Sequence, residues 1–172
     1  MKKIKILPIS LMMVAVLVIA SVAYASPAAS QNFAVPLSGG EEVPARDTNA
    51  RGVATFKLSE DGTQLSYKLN VANIENVFAA HIHCGAVGEN RPVGVTLFNG
   101  APGGGRTDGT LAEGTITAPD PGNTCGWADL AAVLAAMNSG NTYVNVHTND
   151  GVPPPNTGPG DFPGGEIRGQ VK

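Results

Sequence analysis

The segment Leu65–Val71 alternates without a break: Leu65, Tyr67, Leu69 and Val71 are apolar or aromatic, and Ser66, Lys68 and Asn70 are polar. Side chains along an extended strand point alternately to opposite faces, so period two over this length predicts a strand with one face buried. The preceding run, Val53–Ser59, repeats the pattern, with Ala54, Phe56 and Leu58 on one face and Thr55 and Lys57 on the other. Between them "SEDGT" carries Asp61-Gly62, a tight-turn pair, so the two runs form an antiparallel hairpin.

A first extended run begins near Gln31, and others follow at 76–83, 93–98, 110–117, 142–147 and 166–171, with glycine, proline and asparagine in the gaps. Short strands at this spacing predict an all-β fold, an antiparallel Greek-key or immunoglobulin-like sandwich or barrel. One stretch departs from it. In "WADLAAVLAAMNSG" the residues Trp127, Leu130, Val133, Leu134 and Met137 recur at helical spacing and Gly140 supplies a stop. One short α-helix is therefore expected at about 127–138, its apolar side on the sheet and Trp127 in the core. Two glycine- and proline-rich stretches, 99–109 and 149–165, are expected as surface loops, because burying them would leave backbone polar groups unpaired.

Residues 1–25 have the layout of a secretory signal peptide. Lys2, Lys3 and Lys5 precede an apolar stretch from Ile6 to Ala20, and Ala23-Tyr24-Ala25 is an A-x-A site with cleavage expected after Ala25. The apolar stretch is shorter than the ~20 residues of a membrane span. Residues 26–30 then form a linker and 31–172 one domain, secreted or periplasmic, with no membrane association after cleavage. The chain holds eleven basic and fourteen acidic side chains; without the three leader lysines, eight basic ones remain. That acidic balance excludes nucleic acid as a partner, since such partners require basic patches. The expected partner is an extracellular protein or a small ligand.

The chemistry-bearing residues are few. Cys84 and Cys125 are the two cysteines, an even count that in an exported chain points to a disulfide. The alternative is a Cys84 thiolate serving as a metal ligand beside His83. The three histidines are His81, His83 and His147. His81 and His83 lie two apart and share a strand face, with Phe78, Ala80 and Ile82 expected on the core face. In "YVNVH" the core face is Val144 and Val146, which leaves Tyr143, Asn145 and His147 on the other side. If the two strands are neighbours, three imidazoles meet on one patch, a donor set suited to copper or zinc. The alternative is that these histidines hydrogen-bond to loop carbonyls and pin the 149–165 loop over the sheet. Glu166 and Arg168 share a strand face, either as an ion pair or with Arg168 facing an anion near the histidines. Glu41 and Glu42 fall in a turn and are expected to be solvated or to cap a strand. No nucleophile elbow and no phosphate-binding glycine loop is present.

Four ordered blocks, "LSGGEEVPARDTNARGVATFKLSEDGTQLSYKLNV", "FAAHIHCGAVGENRPVGVTLF", "GNTYVNVHTND" and "GGEIRGQV", resemble the CHRD (chordin-type) domain from about Phe33 to Val171. The resemblance implies an all-β sandwich in an exported single-domain protein acting as an extracytoplasmic binding or structural module. A second, local likeness joins "HIHCG" and the later "NVHT" to the copper site of copper–zinc superoxide dismutases. It implies His81, His83 and His147 as copper ligands and Arg168 as an anion-facing residue, and with them a copper- or zinc-binding protein as the alternative function. With three histidines in all, the chain has no counterpart of the bridging histidine of those enzymes.

Overall fold

The computed structural model describes residues 31–172; the expected leader (1–25) and linker (26–30) lie outside the described residues. In chain order the elements are β1 (Asn32–Ser38), β2 (Arg51–Leu58), β3 (Leu65–Glu75), β4 (Val77–Cys84), β5 (Val93–Asn99), β6 (Arg106–Ile116), α1 (Leu130–Asn138), β7 (Thr142–Thr148) and β8 (Ile167–Gln170). The β2–β3 hairpin forms as expected, with Phe56 opposite Tyr67 and Leu58 opposite Leu65. All eight strands join one antiparallel sheet in the order β5-β4-β7-β8-β1-β2-β3-β6.

The sheet curls into a nearly closed barrel, the barrel form of the expected all-β fold. At its seam Tyr67 of β3 reaches across β6 and donates its hydroxyl hydrogen to the Leu97 carbonyl of β5 at 2.8 Å. The ring can lie there because Gly114, opposite Tyr67 on β6, has no side chain in the way. The chain passes from β3 to β4 through a corner at Asn76, with φ of 55°, a left-handed conformation that asparagine tolerates. Asn76 holds the corner by accepting from the Gly105 N–H at 3.0 Å and donating to the Gly160 carbonyl at 3.2 Å. That crossing skips β5 and β6 and gives the four strands β3–β6 a Greek-key order.

The inward faces of the strands build the core: Val35, Leu37, Phe56, Leu65, Leu69, Ile82, Val144 and Ile167 are all buried. The helix begins at Leu130, three residues later than Trp127, because the Asp129 side chain caps it by accepting from the Ala132 N–H at 2.9 Å. Trp127 sits in the core as expected, on Gly94 of β5, where any side chain would overlap its ring.

Three expectations require correction. Residues 106–109 of the expected loop 99–109 belong to β6, which starts at Arg106 and pairs with the far end of β3. A register shift in β4 between Val77 and Ala79 turns Phe78 from the expected core face, and its ring stands edge-on to His147 at 6.1 Å. The 149–165 loop is not wholly superficial: Asp161 and Phe162, near its end, are buried.

Candidate metal centre

Adjacent pairing of β4, β7 and β8 arranges their outer side chains in three rows. Ala79 faces His147, His81 faces Asn145 and His83 faces Tyr143 across β4–β7; Asn145 faces Arg168 and Tyr143 faces Gln170 across β7–β8. The condition set by the sequence, that the two histidine-bearing strands be neighbours, is met. An outer barrel face is ordinarily wet, yet every residue of β7 and β8 is buried on both sides. Three chain segments cover it. The turn at Glu42 bonds to Asn145, the 85–91 segment holds His83 and Arg168, and the 160–165 segment holds His147 and Glu166.

The imidazoles are fixed by that cover. His83 Nδ1–H donates to the Arg91 carbonyl at 2.8 Å, and His147 Nδ1–H donates to the Pro163 carbonyl at 2.9 Å. A neutral imidazole has one N–H, so both bonds leave the Nε2 lone pair for other use. His147 Nε2 lies 3.1 Å from His81 Nδ1, and His83 Nε2 is buried with no hydrogen-bond partner. One ring nitrogen from each histidine falls within 4.8 Å of the other two. Nitrogens held 2.0–2.1 Å from one ion stand about 3.3–4 Å apart, so ligation would require the rings to close by about an ångström.

Burial also sets the charge state. It drives the His83 pKa down to about 4; the Arg91 carbonyl opposes this, and His81 and Arg168 add to it. Burial likewise drives His147 down to about 4, opposed by the Pro163 carbonyl and reinforced by His81 and His83. His81 is lowered for the same first reason, with Asp120 acting in the other direction. At neutral pH the patch therefore presents neutral imidazoles, the form in which histidine ligates metals.

Arg168 is 2% exposed, with its guanidinium carbon 3.4 Å from the centroid of the Tyr143 ring. Tyr143 in turn stacks on His83 at 4.8 Å and 6°. Arg168 makes no ion pair with Glu166. That carboxylate instead accepts from Thr48 Oγ1 at 2.6 Å, Thr148 Oγ1 at 2.7 Å and the Gly160 N–H at 2.9 Å, all of them neutral donors. Glu42, expected in a solvated turn, is 6% exposed, and burial pushes its pKa up to about 7 against the pull of Arg168. Its signal in the sequence is faint, since "GGEEVP" reads as any polar turn. A cleft of about 380 Å³ lined by His83, Asn90, Arg91, Tyr143, Asn145 and Gly164 leads from the surface to this patch.

Cys84, directly after His83, is bonded to Cys125 with Cα atoms 5.7 Å apart, so the alternative of a thiolate ligand falls. A family model described as the CHRD domain matches residues 33–171. No curated protein and no solved structure matches the chain. The match spans the whole barrel, both cysteines and all three histidines: the chain belongs to the CHRD domain family.

Proposed function

We propose that this CHRD domain is an extracytoplasmic copper-binding module whose ligands are His81 Nδ1, His83 Nε2 and His147 Nε2. One observation carries the reading: two backbone carbonyls, of Arg91 and Pro163, take the Nδ1 hydrogens and leave two Nε2 lone pairs free, in a cluster where one ring nitrogen of each histidine lies within 4.8 Å of the others. Histidine ligands are commonly oriented by such a bond on the far nitrogen. An all-nitrogen set binds copper more tightly than zinc in the general order of divalent affinities, so zinc is the weaker competitor. The cleft beside His83 would be the approach for a small ligand. The disulfide and the family fit an oxidising, extracellular setting, and the lysine-led apolar stretch before Ala25 supports export through a cleaved leader.

The test is metal counting on protein purified from an exporting host, then stripped and reconstituted at micromolar copper or zinc. One copper per chain is expected, falling by at least about a hundredfold in affinity in His83→Ala and His147→Ala. Copper-free wild type after reconstitution would favour the second reading, a structural or binding module without metal. That reading draws on the same two carbonyl bonds, which tie the 85–91 and 160–165 segments to the sheet. It further requires that a chelator leave the melting temperature unchanged.

A further inference from the structure

Arg168 and His83 lie on opposite faces of one phenol ring. The guanidinium carbon is 3.4 Å from the Tyr143 centroid and the imidazole centroid 4.8 Å, too close for both to share a face. Strand order agrees, because β7, which carries Tyr143, runs between β4 and β8. The acceptors of Arg168 are all neutral: Asn90 Oδ1 at 3.2 Å, the Ala86 carbonyl at 3.4 Å and Gln170 Oε1 at 3.5 Å. Among the described residues no carboxylate comes within 4.0 Å of it. A buried cation is ordinarily matched by a close anion, because the charge has lost its water. Here no carboxylate touches it, and Glu42 and Glu41 pull on it from farther off. Burial pushes the Glu42 pKa up to about 7, so at neutral pH the charge is only partly matched and is pressed against a ring stack that ends at a ligand.

Resting on the three-histidine copper reading, we propose that Arg168 sets the oxidation-state preference of the site, favouring Cu(I) over Cu(II) by placing a positive charge with no anion in contact behind the His83–Tyr143 stack. Cu(II) carries one more unit of positive charge than Cu(I), so repulsion falls harder on it. Two unit charges about 10 Å apart in an effective dielectric of about 20 shift the ratio of the two affinities on the order of tenfold. Arg168 coordinates nothing; it acts through the stack.

Dissociation constants for Cu(I) and Cu(II), each measured by competition with a chelator specific for that state, test the proposal. Arg168→Gln should weaken Cu(I) relative to Cu(II) by about tenfold and lower the reduction potential, and Arg168→Lys should restore most of the ratio. Asn90→Asp keeps the stack and sets a carboxylate against Arg168 Nη1 from an exposed position. It should shift the ratio the same way by a smaller factor, whether or not Arg168→Gln folds. Copper bound at one per chain with an unchanged ratio in Asn90→Asp, or in folded Arg168→Gln, overturns the role of Arg168 and leaves the copper site standing. Wild type that binds neither state overturns both.

Discussion

Buried titratable residues set how stability responds to acid, and they do not act in the same direction. In metal-free protein His83 and His147 titrate at about 4 against an ordinary 6.5, so the unfolded chain takes up protons first as pH falls. Their contribution is complete above about pH 6.5 and is lost as pH drops toward 4, each at up to ~1.4 kcal/mol per pH unit. Glu42 titrates at about 7 in the fold against 4.5, so there the native state holds the extra proton. Its contribution is complete below about pH 4.5 and is lost as pH rises through 7. Between about pH 4.5 and 6.5 the two histidines outweigh the one carboxyl and His81 adds to the loss, so wild type should lose at least roughly 1.4 kcal/mol per unit of acidification. Glu42→Gln removes the opposing slope, so its loss should steepen by up to roughly a further 1.4 kcal/mol per unit, read from urea titrations in chelator across that window. Equal slopes in the two proteins would mean that Glu42 is ionised in the fold. Nothing around Glu42 in the sequence announces this role: Asn145, its hydrogen-bond partner, is 103 positions away.

At the scale of elements, β8 is only four residues long and pairs with β1 through a single register position, Ser38 with Arg168. The contact is tight because Gly169 presents no Cβ toward β1, where one would overlap the Pro36 carbonyl and crowd Val35. Neither obstacle is the free end of a flexible side chain, so Gly169→Ala must push β1 and β8 apart. We expect it to destabilise the protein by about 3 kcal/mol or more, measured by chemical denaturation, with Gly104→Ala, where a Cβ would meet nothing closer than 3.8 Å, as the unhindered control. The β2–β3 hairpin, the helix and the outward row of histidines were all legible in the sequence, because a buried face enforces its own period. The register shift at Val77 and Ala79 was not, since it arises where β4 must leave the Asn76 corner and meet β7. The strand hidden in "GGGRTDG" was not legible either, because β3 supplies its partner groups and local composition does not. The burial of β7 on both faces escaped for a related reason. Alternation tells which side faces away from the core, but not whether loops distant in sequence will cover that side.

At the scale of the whole molecule, the barrel is closed by means other than a continuous ladder. Across the seam between the edge strands β5 and β6 the Tyr67 hydroxyl ties β3 to β5, and the end of β4 is tied to the segment before α1 by Cys84–Cys125. The two cysteines are 41 positions apart, and closing a loop of that size restricts the unfolded chain by about 4 kcal/mol in the chain-entropy model. The same bond anchors the residue next to His83, and both sulfurs face the Pro92 carbonyl, one residue beyond the Arg91 carbonyl that orients the His83 ring. Global stability and site geometry thus share one covalent tie. The double variant Cys84→Ser/Cys125→Ser should lose roughly 4 kcal/mol in urea and, while still folded, bind copper more weakly than wild type. A folded double variant with undiminished copper affinity would show that the hydrogen bonds of the 85–91 segment hold His83 by themselves. A loss of affinity with unchanged stability would place the bond's effect in the native state, contrary to the entropy argument. Parallel denaturation and copper titration of the same preparation distinguish these outcomes.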